Sequence, residues 1–349
     1  MDGRTEQVKG LRIPRPPAVV VLAGYAIAAT ALGLLLGWLV VRNMEWGKLG
    51  GALASANIAL IFGAWLLVIL SGYLRGLRWR LLLADDRVSA IRLFLIEQAG
   101  TAVDTVSPIR VLDEIVEIGI LTLRYGLRLG TVLATLALQR TFEFGTTVLL
   151  LGVGAMFLAP FRPFWPFLAA GVVFGSLSLI LLFTVGPALR HVKFLSRFEV
   201  VPQFASAVVL MRRERWRSGL AFVISIAQAV LVGLAGWMVA RATGIGLGVP
   251  TMIVITLGIM FFSSTVPGLP MAIGTFEFAA VSMLRLWDVD TEQAIAFSLL
   301  IHAVLFIPPI IFAAAFLPRI GLLSFHELKE LASKTRQGMT SAGPERFLR

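Results

Sequence analysis

Six long apolar stretches, at about residues 18–41, 51–74, 129–159, 167–188, 218–241 and 293–317, restrict the fold of this chain more than any other feature. Each reaches the roughly 18 residues that mark a bilayer crossing, because about 20 helical residues at about 1.5 Å rise traverse about 30 Å of hydrocarbon. Only 15% of the residues are charged and mean hydropathy is +0.87, against charge on about a quarter of a water-soluble domain. The expected architecture is therefore an all-α polytopic integral membrane protein. A single transmembrane domain over 18–320 is flanked by tails at 1–17 and 321–349.

The net charge of +11 would suggest nucleic acid in a soluble protein. Here the Lys and Arg residues fall in short connections between apolar runs, which points to topology and to anionic membrane lipids as partners, with no nucleic acid. Four cations precede the first span (Arg4, Lys9, Arg12, Arg15), five follow the second (Arg75, Arg78, Arg80, Arg87, Arg92) and seven lie in 189–217. The opposite connections are poor in them. Both termini are thus expected in the cytoplasm and the chain in the cytoplasmic (inner) membrane. The chain has no cysteine, which excludes disulfides and thiolate chemistry.

Two shorter apolar segments do not make complete crossings. Residues 93–107 are interrupted by Glu97, Gly100 and Asp104, and residues 251–267 end at Pro267-Gly268-Leu269-Pro270. Each is followed by proline and an amphipathic stretch, so both are expected to be re-entrant. They divide the chain into halves at about 18–159 and 167–318, each with three spans around one re-entrant segment. The topology gives the halves opposite orientation, an inverted repeat of the kind transporters use.

Charged residues within this frame supply the candidate sites. Arg75, Arg78, Trp79 and Arg80 at the end of span 2 are expected to snorkel to the headgroup level as a lipid anchor. Arg110, Asp113, Glu114 and Glu117, at offsets of zero, three, four and seven, share one helical face, suited to an interfacial helix or to the wall of a polar cavity with Asp104. The strongest signal is Arg140 with Glu143, beside Gln139, about 17 Å into span 3 at helical rise. Intramembrane charges of this kind are costly and mark functional sites by default. Pro270, Gly274 and Glu277 break and restart a helix whose N-terminal amides suit a phosphate, and His302 in span 6 is a candidate for proton movement.

Taken in order, these residues resemble the lysylphosphatidylglycerol synthase transmembrane family, a flippase-type membrane domain also found as stand-alone proteins, some encoded with hopanoid or glycolipid pathways. The resemblance covers about residues 18–320. It rests on Arg78-Trp79-Arg80, the acidic stretch after Pro108, Arg140 with Glu143, and the Pro270, Gly274, Glu277 pattern followed by Asp290-Thr291-Glu292-Gln293-Ala294. The family's usual double glycine is Met271-Ala272 here, its Gly-Glu after the first proline is Leu112-Asp113, and an arginine often seen in the last span is His302. With only about 30 polar residues after the last span, a stand-alone member without the aminoacyltransferase domain is expected.

The function these observations favour is a transporter or flippase moving an anionic or polyisoprenoid-type (glyco)lipid between leaflets. In that scheme Arg140 holds the headgroup, Glu143 tunes it, Glu277 and the amides after Pro270 form the opposing half-site, and Asp113, Glu114 and Glu117 gate cytoplasmic access. A membrane-embedded lipid-modifying enzyme is the second reading. It lacks a His-Glu-x-x-His helix or a glycine-rich phosphate loop, and neither cofactor nor metal is expected. A third is a non-catalytic partner of lipid-biosynthesis enzymes.

Overall fold

The structure is a computed structural model; it describes residues 18–42, 44–83, 87–106, 112–188, 198, 200–266 and 268–320. Within them lie twelve α-helices and no strand. All six expected long helices are present: α1 (Ala18–Val41), α3 (Ile58–Leu83), α6 (Leu129–Phe157), α7 (Trp165–Ala188), α9 (Arg215–Ala242) and α12 (Thr291–Phe316). Five of these are long and apolar enough to cross a membrane, and α6, at 29 residues the longest, is the one that carries Arg140 and Glu143. The chain is an all-α, multi-pass membrane protein.

The second span differs from expectation. A short helix α2 (Trp46–Ala54) stops at Ser55, and α3 begins only at Ile58. The cause is local: the Asn57 side-chain oxygen accepts the backbone N–H groups of Ala59 and Leu60, at 3.0 and 3.3 Å, capping a new helix. The span therefore runs to Leu83, with Arg75, Arg78 and Arg80 inside the helix rather than beyond it.

The remaining elements are α4 (Ala90–Val106), α5 (Leu112–Gly119), α8 (Val200–Arg213), α10 (Val249–Thr265) and α11 (Thr275–Arg285). Helix α5 continues into one π-turn at Ile120–Arg124. Helix α10 ends two residues before Pro267, as steric conflict with a proline ring requires of the preceding backbone. Helix lengths repeat along the chain: 24, 9, 26, 17, 8 and 29 residues in α1–α6, then 24, 14, 28, 17, 11 and 26 in α7–α12. The two 17-residue helices occupy the same place in each half. Packing is reciprocal as well: α4 lies along α12 of the second half and α10 against α6 of the first, while α3 and α9 form the longest interface.

Small residues let these helices approach, because lipid supplies no hydrophobic drive and close packing must replace it. Gly233 and Gly236 of α9, three apart on one face, receive Ile253 and Thr256 of α10, also three apart. At Gly76 of α3 an added Cβ would lie 2.5 Å from the Phe94 amide nitrogen of α4. Burial separates core from periphery: 56% of the α12 span is inside the protein, against 6% of α7, whose Phe167, Val173 and Ile180 face outward. An apolar exterior of this kind is what lipid demands.

Candidate functional site

Arg78 is 0% exposed, with no route to the headgroups. Its guanidinium donates to Ser225 Oγ of α9 at 3.0 Å, to Gln139 Oε1 at 3.1 Å and to Glu143 Oε1 at 2.6 Å, both of α6. Trp79 is equally buried and gives its indole N–H to Thr135 Oγ1 at 3.1 Å. Arg75 turns inward too, with Nε 3.1 Å from Glu143 and 3.5 Å from Glu97. The expected snorkelling anchor is thus corrected for three of its four members, and only Arg80 is exposed. Bilayer depth alone sends an Arg outward; a carboxylate on the facing helix reverses that preference, since a paired charge tolerates burial.

Arg140 and Glu143 approach at 3.5 Å, but each has closer partners elsewhere. Arg140 reaches across to α5, where it contacts Asp113 and, at 3.1 Å, Glu114. Glu143 turns the other way, to Arg75 and Arg78. The result is a continuous chain of ion pairs, Glu97–Arg75–Glu143–Arg140–Asp113/Glu114, that ties α4, α3, α6 and α5 together. The acidic face of α5 consequently looks into the bundle. Glu117 is 2% exposed and packs over Gly100, whereas Ile115 on the other side is exposed. Arg110, expected on the same face, lies outside the described residues.

Arg140 remains 41% exposed at its side chain, and what it is exposed to is a cavity of about 310 Å³. Asp104, Asp113, Glu114 and Arg140 line one wall. The facing wall belongs to the second half: Ser263 and Ser264 of α10, the turn at Gly268–Ala272, and Phe276 and Phe306. A larger cavity of about 450 Å³ lies among α3, α6 and α8, but its lining is mostly apolar, and among the described residues Arg128 is its one charged member. The smaller cavity is the one where both halves and the chain of ion pairs converge.

The opposing half-site departs from expectation. Pro270 opens a single 3-10 turn, Pro270–Ala272, and Gly274, at φ +84°, precedes α11. Glu277 does not line the cavity: its Oε2 accepts the Gly274 N–H at 2.7 Å, and its Oε1 lies 2.7 Å from His302 Nδ1. A carboxylate three residues into a helix closes back on the amide before it, and that geometry fully occupies Glu277. Its carboxylate is therefore turned to the Gly274 amide and His302 rather than into the cavity.

Sequence reasoning uses Glu97 only as an interruption of an apolar run, whereas the structure makes it the end of the ion-pair chain. A carboxylate amid apolar residues was itself the signal. Ser225 and Thr135 carried none, since a hydroxyl gives no hint of which buried donor it will meet. Among the described residues no group of three or more His, Asp or Glu is placed to hold a metal ion.

Comparison with known proteins bears on the family of the chain. The family model described as lysylphosphatidylglycerol synthase TM region matches residues 21–313, nearly the whole membrane domain. No curated relative matches the chain.

Proposed function

Because the chain belongs to the lysylphosphatidylglycerol synthase transmembrane family, whose setting is membrane lipid, we propose that it moves a lipid between leaflets of the cytoplasmic membrane, with the headgroup held in the cavity at Arg140. One observation carries the proposal: a guanidinium about midway along a 29-residue helix is left partly exposed to a cavity that both halves line. A purely structural ion pair needs no cavity beside it, whereas an intramembrane charge that opens on one is placed to meet a ligand.

The chemistry of the walls fits an amphiphile. Arg140 offers donors to a phosphate, the carboxylates around it hold the guanidinium in place, and the Ser263 and Ser264 hydroxyls stand opposite. Phe276, Leu305 and Phe306 give the same cavity an apolar flank for the start of the acyl chains. Asp113 and Glu114 compete with an incoming anion for Arg140, which makes them the gate: the headgroup enters as they release it.

Inverted insertion of the halves and re-entry of α4–α5 and α10–α11 belong to this proposal. The repeated order of helix lengths and the reciprocal packing of α4 on α12 and α10 on α6 support them. In vesicles of phosphatidylglycerol and phosphatidylethanolamine, the purified protein is expected to equilibrate a fluorescent phosphatidylglycerol between leaflets. Arg140→Ala should lower that rate at least tenfold while the protein stays folded. A folded Arg140→Ala variant that translocates normally removes Arg140 from the mechanism.

A further inference from the structure

We infer that Glu277 and His302 form a proton-binding site through which lipid movement is coupled to the proton gradient. The coupling clause rests on the transport function proposed above; the proton site stands on the geometry of the pair.

Glu277 is satisfied as an acceptor on both oxygens, by the Gly274 amide and by His302 Nδ1. That arrangement suits a carboxylate with Nδ1 of the imidazole as donor. The opposite nitrogen, His302 Nε2, is buried and has no hydrogen-bond partner among the described residues. The side chains of His302 and Glu277 are 8% and 13% exposed. An imidazole with one nitrogen bonded to a carboxylate and the other holding an unused lone pair has a defined place for one proton.

The charge balance gives that proton a consequence. With a neutral imidazole the pair carries a net negative charge inside the bundle; with a protonated one it carries none. A low-dielectric surrounding discriminates strongly between those two conditions. Among the described residues no Lys or Arg is paired with Glu277 to take over the compensation. Helix α10 has no ionisable side chain, and α1 from Gly24 to Val41 has only Tyr25. On α11 itself Arg285, at the far end, bonds to Thr291, and on α12 Glu292 lies near its start.

Other elements packed on α12 have their charges engaged or distant. Arg75 and Arg78 of α3 are held by Glu143, and Glu97 of α4 by Arg75; Arg80 of α3 is exposed. Arg92 opens α4, while Asp104, near its end, lines the cavity. Lys48 of α2 is bonded to Glu45. On α9, Arg215, Arg217 and Arg241 are confined to the two ends.

The site is also placed to report its state. His302 lies against both Phe276 and Phe306, with ring centroids 4.8 and 4.5 Å away and the rings tilted by 48° and 51°, and both phenyl rings line the headgroup cavity. On the other side Glu277 holds Gly274, and a Cβ at Gly274 would run into the Gly33 carbonyl of α1. The pair therefore joins α12, the start of α11 and α1 at one point.

Two measurements test it. First, the full-length His191→Gln/His326→Gln protein has His302 as its one imidazole; labelled with nitrogen-15 histidine in lipid nanodiscs, it should show an Nδ1-protonated neutral ring that becomes cationic on acidification. Adding Glu277→Gln should displace that transition along the pH axis. A ring that stays neutral while the protein remains folded, or a transition indifferent to Glu277→Gln, overturns the proton site. Second, vesicles carrying the fluorescent phosphatidylglycerol are compared with and without an imposed pH gradient. The gradient should shift the tracer's leaflet distribution for the native protein, and His302→Asn should abolish that shift. Native movement identical in both conditions overturns the coupling and leaves transport standing. If no tracer moves at any pH, the transport function and its coupling fail together, and the nitrogen-15 titration alone decides whether the pair binds a proton.

Discussion

Arg78 Nη2 lies 2.6 Å from Glu143 Oε1, and the arginine that makes this contact is wholly enclosed by α3, α6 and α9. The pair fastens a helix of the first half to its neighbour, and Ser225 extends the contact into the second half. Its role is to hold the cavity wall in place, because Glu143 also contacts Arg140, at 3.5 Å, on the same helix.

Removing Arg78 should therefore cost stability before it costs transport. Breaking one side of a buried pair is worth about 3–5 kcal/mol. Here the low end applies, since Glu143 keeps Arg75 at 3.1 Å and Arg140 at 3.5 Å. Arg78→Ala is expected to lower the thermal unfolding midpoint in detergent markedly. Arg78→Lys should recover little of it, because one ammonium cannot reproduce a planar fork serving Ser225, Gln139 and Glu143 together. Full recovery by Lys would show that charge alone matters at this position.

Hydropathy located this network in depth but not in direction. The six long helices, the two breaks and the midspan charges Arg140 and Glu143 could all be read from apolar run lengths, which report where a residue lies along the bilayer normal. Which way a side chain faces depends on how its helix packs, and α3 lies against α9 and α4. Because α3 runs on to Leu83, Ser71, Arg75, Arg78 and Leu82, spaced by four, three and four, fall on one inward stripe. That spacing was present in the sequence, yet an arginine run at a span's end has the same composition whether it snorkels or pairs. Glu277 and His302 are 25 residues apart, and their contact follows only from how α11 packs on α12.

Buried hydrogen bonds made by such inward residues should be individually costly to break. Thr135→Val keeps the volume of the side chain but leaves the Trp79 indole N–H, buried beneath it, without an acceptor. Stranding a buried donor costs about 1–3 kcal/mol. The expected result is a lower unfolding midpoint for Thr135→Val than for Thr135→Ser, which retains the hydroxyl. Equal midpoints would mean that the indole finds another acceptor.

Two glycines of the same type should respond oppositely to the same change. Gly76→Ala places a Cβ 2.5 Å from Phe94 N and 2.7 Å from Ala90 O, both backbone atoms that cannot turn aside. Overpacking of this kind costs about 1–3 kcal/mol and should part α3 from α4. Gly219→Ala, near the start of α9, meets nothing within 4 Å. It should gain up to about 1 kcal/mol, the helix preference of alanine over glycine. Opposite shifts of the unfolding midpoint check both; a tolerated Gly76→Ala would mean that the α3–α4 interface gives way to admit a methyl group.

The turn between α10 and α11 stores strain at the cavity itself. Met271 and Ala272 have φ of 61° and 57°, in the left-handed region, and both line the cavity. Each such residue costs about 1–2 kcal/mol relative to a right-handed one, which glycine avoids. Glycine loses more chain entropy on folding, about 0.5–1 kcal/mol, so the strain term prevails and Ala272→Gly should stabilise by about 0.5–1 kcal/mol. Met271→Gly also deletes a side chain from the cavity wall, so its gain should be smaller. The positions are those at which the resemblance drawn from sequence expects two glycines, and the backbone here adopts the shape that glycines favour without having them. The measurement is the unfolding midpoint of each variant against the native protein, with Ala272→Val as the opposite control, since a β-branched residue tolerates positive φ least. A destabilised Ala272→Gly would show that the turn is held by its neighbours at no local cost.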